Sequence, residues 1–401
     1  QRAAFYLTII AIGAGLLTFI GWMVFTGNLS DAVRYTVGVL IIACPHALGL
    51  AVPLVVAIST TLSARNGLLI RKRVALETAK DLNIIIFDKT GTLTKGEQGV
   101  VQVAVDGISE DQALQIAAGL EGDSEHMVAQ AIRWYVQGRE LSPAPVSQFE
   151  SLAGRGVKAL VDGKTYYIGG PRLLEQLKLT VPAPLDAARQ SAETAGQSVI
   201  YLTSETAIVA VFAVADVIRE ESRDAVQKLH DLGLKVAMLT GDSESVARAV
   251  AQTLNIDTYF AQVLPEHKAD KVRELQKGGN KVAMVGDGVN DAPALLTADV
   301  GIAIGAGTDV AIESAGIILV RSNPMDIVKI IRLSRATYGK MIQNLVWATG
   351  YNVIAIPLAM GVLAPWGFTL DPAVGAIFMS VSTVVVAFNA QLLRRLDLSA
   401  A

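Results

Sequence analysis

Asn83-Ile84-Ile85-Ile86-Phe87-Asp88-Lys89-Thr90-Gly91-Thr92 is the stretch that decides the fold. Four large apolar residues in a row, ending in an acid and a Gly/Thr turn, read as a strand buried on both faces. Such a strand delivers its terminal carboxylate into a loop. The same grammar recurs in Lys235-Val236-Ala237-Met238-Leu239-Thr240, in Lys281-Val282-Ala283-Met284-Val285-Gly286 and in Val300-Gly301-Ile302-Ala303-Ile304. Helical patterns lie between these runs, at Glu220 to Leu232 and Lys268 to Gln276. The alternation predicts a parallel, doubly wound α/β sheet with its site at the strand C-terminal ends. From about Gly96 to Ala207 the texture changes to scattered Gly and Pro, with a hairpin predicted over Val157 to Ile168 around Asp162-Gly163. This reads as a second, α+β domain inserted into the first.

Outward from this core the chain becomes apolar. Of its 401 residues 52% are hydrophobic and 18% charged, against about 25% charged in soluble domains. Four stretches approach the ~20 residues that cross a bilayer: Phe5 to Phe25, Tyr35 to Leu62 (interrupted by Pro45 and Pro53), Met341 to Leu363 and Ala373 to Leu393. The first has no small-residue cleavage site and a second span follows at once, so it reads as a membrane helix and not as a signal peptide. Arg65, Arg71, Lys72 and Arg73, then Arg332, Arg335 and Lys340, then Arg394 and Arg395 all fall on one side. The positive-inside rule puts both chain ends and the central segment in the cytoplasm, with Thr26 to Arg34 and Ala364 to Pro372 outside. A net charge of −3 without a basic block argues against nucleic acid. One cysteine, Cys44, excludes an intrachain disulfide and a Cys-rich zinc module.

A carboxylate at a strand end in a Gly/Thr loop suits nucleophilic attack on a phosphoryl group. The loop amides and hydroxyls can hold phosphoryl oxygens, and Gly286-Asp287-Gly288-Val289-Asn290-Asp291 supplies two acids for Mg²⁺. Thr240-Gly241-Asp242 offers a hydroxyl and amides at a third strand end, and Lys268 a cation to screen transferring charge. Singly, each is an ordinary turn or cap; four in order at strand ends make a site.

With these residues in hand, the sequence resembles a heavy-metal (P1B-type) P-type ATPase, at Asp88 to Thr92, Thr240 to Asp242, Pro265 to Lys268 and Gly286 to Asp291. The resemblance implies a haloacid-dehalogenase-like phosphorylation domain in which Asp88 takes the γ-phosphate of ATP. It implies catalytic roles for Asp88, Lys89, Thr90, Thr240, Gly241, Asp242 and Lys268. It further implies Mg²⁺ on Asp88, the Thr90 carbonyl, Asp287 and Asp291, with Asn290 ordering its shell. The inserted domain resembles that branch's nucleotide-binding domain, at Ser124-Glu125-His126 and Gly154-Arg155-Gly156. That assigns Glu125, His126, Gly154 and Gly156 to the nucleotide. Met127 stands where the branch has Pro, and Gly170 where Asn is common.

In the second span, Cys44-Pro45-His46 sets a thiol and an imidazole beside a backbone opening. These are soft to borderline ligands, suited to copper, silver or zinc. Tyr351 and Asn352 in the third span, with Met379, Ser380 and Ser382 in the fourth, are further candidates; Asn344, Thr383 and Asn389 are the other polar groups there. The Met379 thioether suits Cu(I) or Ag(I), and the last span has no Asp, Glu or Lys. Cys-Pro-His resembles the copper-exporting subgroup, which implies transported Cu⁺, with Cu²⁺ or Ag⁺ left open.

The expected organisation is therefore membrane helices over 1–65 and 336–401, a phosphorylation domain over 66–96 and 208–335, and a nucleotide-binding domain over 97–207. The family's actuator domain with its Thr-Gly-Glu motif is not found, so the sequence reads as the C-terminal part of a longer pump. The expected function is ATP-driven copper or silver export across a bacterial or archaeal plasma membrane, the catalytic loop being cytoplasmic. The expected partners are the lipid bilayer, ATP and the ion, with a soluble metallochaperone as a candidate and no nucleic acid. Competing readings are a membrane-anchored phosphohydrolase of the same fold, a zinc or cadmium pump, and a metal sensor.

Overall fold

The computed structural model describes residues 2–43, 46–122, 124, 126–152, 154–305 and 308–398. Contacts divide the chain into two units, Gln1–Lys80 with Lys329–Ala401, and Asp81–Val328. The short segments Leu68–Ile70 and Arg73–Ala79, expected in the cytoplasmic domain, thus group with the helices.

The first unit is helical. Arg2–Thr26 ends at Gly27, whose φ of +63° no β-carbon opposes. Leu29–Ile42 begins two residues later, its N-cap Asn28 accepting from the Ser30 and Asp31 amides. The stretch from Thr26 to Arg34, expected as an external link, is therefore mostly helix. Ser30 and Asp31 are polar because they form a capped first turn, not because they form a loop. The expected second span becomes two helices, Leu29–Ile42 and His46–Arg65, the latter with Pro53 inside. The expected third span, Met341 to Leu363, overlaps the end of Met325–Ala359 and runs four residues past it, and the fourth overlaps Pro372–Gln391. Among the described residues two segments, Thr8–Thr26 and Pro372–Arg395, are long and apolar enough to cross a membrane, and Gly49–Arg65 is a shorter apolar helix.

Polar ties hold three of these helices together. The Lys340 Nζ donates to Asn389 Oδ1 at 2.9 Å, and Asn389 Nδ2 donates to Asn344 Oδ1 at 2.8 Å. Asn344, fully buried, then donates to the Ala51 carbonyl at 3.2 Å. Such bonds fix the register of apolar helices whose side chains alone would slide.

In the second unit, strands run in the order Ile317–Leu319, Val300–Ile304, Val282–Gly286, Ile84–Asp88, Lys235–Leu239, Thr258–Phe260, each pair parallel. Ile84–Asp88 is central and buried throughout, as its apolar run requires. The sequence reading found four of these strands; the two three-residue strands, Ile317–Leu319 and Thr258–Phe260, are too short to leave a pattern. The insertion is a six-stranded antiparallel sheet, ordered Thr94–Val105, Ile208–Ile218, Ser198–Ser204, Lys164–Gly169, Gly156–Val161, Ser147–Leu152. The predicted hairpin is present, with Asp162 at φ 49° and Gly163 at φ 76°, both left-handed as a tight two-residue turn demands. Ile208–Ile218 pairs with Thr94–Val105 along its length, from Thr94 with Ile218 to Val105 with Ala210. This antiparallel sheet therefore spans Thr94 to Ile218, wider than the 97–207 expected for the nucleotide-binding domain. An apolar β-run looks the same whichever sheet receives it.

Candidate functional site

Asp88 ends the central strand, in register with Leu239, while its neighbour Phe87 is in register with Val285. This register sets three strand ends side by side, carrying Asp88, Thr240 and Asp287. Gly91 follows at φ +74°, and the Asp287 carboxylate occupies the space that a β-carbon on Gly91 would take. No other residue fits there, which is why the loop reads Thr-Gly-Thr. Asp291 closes the turn Val289–Asp291 by accepting from the Gly288 amide at 3.2 Å.

Lys268, at the start of helix Lys268–Gln276, joins the acids. Its Nζ lies 2.7 Å from Asp88 Oδ1 and 2.7 Å from Asp291 Oδ1. One oxygen from each of Asp88, Asp287 and Asp291 lies within 4.8 Å of the others. Three carboxylates against one ammonium, mostly buried, leave an excess of negative charge. Burial, then repulsion from Asp291, push Asp88 up to about 7, although Lys268 opposes both. Asp287 is raised for the same reasons, burial first and Asp291 second. Burial works against charge on Lys268, but Asp88 and Asp291 outweigh it and raise its pKa. The pocket as built is short of positive charge, and a divalent cation is the group that corrects this. In the loop that follows Asp88, the Thr92 hydroxyl is buried with no hydrogen-bond partner among the described residues.

Lys89 points elsewhere. Its buried Nζ sits between Asp216 Oδ2 at 2.8 Å and Asp242 Oδ2 at 2.9 Å. Asp216 also accepts from the Thr94 hydroxyl and from the Gly96 amide at 3.1 Å. Arg219 donates to the Gly91 carbonyl at 3.1 Å. Asp216 and Arg219 thus tie both connections of the inserted domain to the Asp88 loop, and sequence reasoning missed both. The available signal was charge at the end of an apolar strand, Ile208–Ile218. Thr240 is buried, with its Oγ1 accepting from the Asp242 amide at 3.1 Å.

In the inserted domain a cavity of about 350 Å³ is lined by His126, Gly154, Gly156 and Gly170, joined by Glu121 and Ser124. His126 caps helix Met127–Gly138, accepting from the Val128 amide at 3.3 Å. Met127 is the first residue of that helix, where an amide has no helical partner anyway. Its replacement of Pro therefore disturbs little. Gly156 has φ +139°, and a β-carbon there would meet the Ile168 carbonyl. Glu121 was not anticipated; it is buried, and burial raises its pKa against the opposing pull of Ser124, His126 and Arg133. Glu125 lies outside the described residues.

In the helical unit Cys44 lies outside the described residues, as does the side chain of His46, the first residue of its helix. Tyr351 donates to the Gly375 carbonyl at 3.1 Å, and Asn352 is buried. Met379 lies one turn beyond Gly375 and is half-buried, as is Ser382, while Ser380 is exposed and bonds its own helix at Ala376.

A parallel sheet with a nucleophile-ready Asp, an opposed pair of acids and a lysine at its strand ends defines a phosphoryl-transfer class. A family model described as haloacid dehalogenase-like hydrolase matches residues 82–299, and the chain belongs to that family. It is 51% identical over 394 residues to the copper-exporting P-type ATPase B of Archaeoglobus fulgidus, covering 98% of this chain and 56% of that protein. It is 44% identical over 397 residues to the copper-exporting P-type ATPase B of Enterococcus hirae, covering 98% of this chain and 53% of that one. The chain spans about half the length of these curated relatives. Among solved structures it superposes on a zinc-transporting PIB-type ATPase in the E2.Pi state with a TM-score of 0.81 and 32% identity, over 98% of this chain and 63% of that one.

Proposed function

We propose that this chain carries the phosphorylation site and part of the ion path of an ATP-driven copper exporter. The observation that carries the reading is the buried set of Asp88, Asp287 and Asp291 around Lys268 at the strand ends. Asp88 Oδ attacks the γ-phosphorus of ATP; the bond to the β–γ bridging oxygen breaks, leaving an aspartyl-phosphate and ADP. Magnesium held by Asp88, the Thr90 carbonyl, Asp287 and Asp291 would supply the missing positive charge on the phosphoryl oxygens. Lys268 offsets charge on the same group, and Thr240 and Gly241 receive the phosphoryl oxygens. The cavity at His126, Gly154 and Gly156, with Glu121, takes the adenosine part, the glycines letting backbone approach it closely, and Glu125 is assigned to the nucleotide by the resemblance. Lys89, locked to Asp216 and Asp242, couples the position of the inserted domain to the Asp88 loop.

On this reading the chain crosses the membrane four times and its catalytic unit is cytoplasmic. Cys44 and His46 bind the ion, with Tyr351, Asn352, Met379, Ser380 and Ser382 along its path. A thiol, an imidazole and a thioether, with no carboxylate in Pro372–Gln391, favour copper or silver over zinc. The test is ATP hydrolysis and γ-phosphate labelling by the protein containing this chain, in membranes supplied with Cu⁺, Ag⁺ or Zn²⁺. Copper should stimulate both, through a hydroxylamine-labile phosphoprotein that Asp88→Asn abolishes. Stimulation by zinc alone would sink the copper assignment. Hydrolysis indifferent to all three metals and to Cys44→Ala would favour an anchored phosphohydrolase.

A further inference from the structure

The hydrogen bonds that run from Lys340 through Asn389 and Asn344 to the Ala51 carbonyl have a direction fixed at one end. An ammonium only donates, so the Asn389 oxygen faces Lys340 and its Nδ2 faces Asn344. Asn344 Oδ1 accepts there, which leaves its own Nδ2 to donate to Ala51. Turning either amide over would set donor against donor or acceptor against acceptor. Asn344 is fully buried, so a lost partner there is costly.

These bonds reach helix His46–Arg65 at its weakest turn. Pro53 has no N–H for the Gly49 carbonyl, and Ala51 lies between the two. Ala51 also packs with Ala348 and Val386, all of them buried. The next layer, toward Arg65, is Val55 and Ile58 with Ala390 and Leu393, and Met341 packs against it. In the opposite direction along each helix, His46 stands five positions from Ala51, Asn352 four from Ala348 and Ser382 four from Val386. At ~1.5 Å per residue all three positions are roughly 6–8 Å from the Ala51 layer, and so share one level. The candidate ion path thus ends, on the Lys340 side, on a thin apolar seal. Small apolar side chains do not by themselves hold helices in register, and the two asparagines, one turn beyond the seal, supply the directional bonds that do.

We propose that Asn344 and Asn389 are positioning residues of the transport step. They hold helix His46–Arg65 against Met325–Ala359 and Pro372–Gln391, so that the level of His46, Asn352 and Ser382 is closed toward Lys340. The proposal rests on the reading of this chain as part of a copper exporter and assigns neither asparagine to the ion. An ion enters from the Lys340 side when the Asn344 bond to Ala51 is released. If that bond does not re-form, the ion slips back while ATP is still hydrolysed.

The test is the copper transported per ATP hydrolysed by the protein containing this chain, in proteoliposomes supplied with Cu⁺ and Mg²⁺-ATP, with the passive copper leak measured without ATP. N344L keeps the side-chain volume and removes both bonds. N389D keeps the acceptor for Lys340 and removes the donor to Asn344. Each should lower the ratio a few-fold and raise the leak by a similar factor, with aspartyl-phosphate formation and the KM for ATP unchanged. T61V, whose hydroxyl bonds the Ala57 carbonyl of its own helix, should leave the ratio as it is. Wild-type ratio and leak in both variants would overturn the proposal. So would transport and hydrolysis falling in parallel, or loss of the aspartyl-phosphate in both variants, since either outcome marks a merely structural role. If one variant alone loses the aspartyl-phosphate, the ratio in the other decides. Wild-type protein that moves no copper sinks the export reading and this role with it, whereas a pumping wild type beside variants of unaltered ratio sinks this role alone.

Discussion

Replacing Asp88 by asparagine turns the pH dependence of stability into a measure of how the phosphorylation pocket carries its charge. Burial, reinforced by Asp291 and opposed by Lys268, takes the Asp88 carboxyl from 3.8 to about 7. The folded value lies above the unfolded one. The stability that the protonated carboxyl contributes is therefore fully present below pH 3.8 and is lost as the pH rises through about 7. At ~1.4 kcal/mol per tenfold change in proton affinity, the ionised form costs on the order of 4 kcal/mol when no metal ion is bound. An amide cannot ionise, so Asp88→Asn should lack this slope. For a unit of roughly 250 residues, ~2–4 °C per kcal/mol makes the variant more stable at pH 8 by up to about 8–16 °C. Relaxation and water entry reduce this to several degrees.

Millimolar Mg²⁺ should narrow or reverse the gap, because it rewards the ionised wild-type pocket more than a pocket missing one ligand. The assay is the Tm of the transition of the Asp81–Val328 unit in the detergent-solubilised protein, from about pH 5 to pH 8.5, in EDTA and in Mg²⁺. Parallel pH profiles for the two proteins in EDTA would refute the reasoning, as would an equal Mg²⁺ shift in both.

Asp216→Ala removes a partner of Lys89, Thr94 and Gly96 together. It should lower stability toward urea by about 3 kcal/mol, the lower range for breaking a buried ion pair; Asp216→Asn, which keeps the polar acceptor but not the charge, should fall between. An unchanged urea midpoint in the alanine variant would mean that the clasp carries no energy. Gly156→Ala forces a β-carbon against the Ile168 carbonyl and should weaken binding of a non-hydrolysable ATP analogue about tenfold or more, whereas Gly154→Ala, with open space around it, should cost only ~1 kcal/mol of strain. Calorimetric titration checks this, and equal affinities for the two variants would place the nucleotide elsewhere.

The gathering of Asp88, Thr240 and Asp287 at one edge of the sheet was legible from the chain alone because these residues terminate strands. Ile84 to Phe87 and Val282 to Val285 can only be buried, and whatever follows them emerges at one edge of a parallel sheet. The hairpin at Asp162-Gly163 was legible for a similar reason, since its backbone conformation depends on two adjacent residues. The helices of the first unit were legible as apolar stretches but not in their limits, because a capped first turn such as Asn28 to Asp31 is as polar as a loop.

What sequence by itself determined was thus local: which residues form buried strands, and which chemistry waits at their ends. Only the tertiary structure decided which sheet received Ile208–Ile218. It also decided that Lys268 serves Asp88 and Asp291 while Lys89, next to Asp88 in the chain, turns away to Asp216 and Asp242. Arg219, which reaches back to the Gly91 carbonyl, belongs with these. The physical reason is that the partner of a buried charge or hydroxyl is set by which elements meet in space, and those partners lie far apart along the chain. Lys268 and Asp88 are separated by 180 positions, Lys89 and Asp216 by 127.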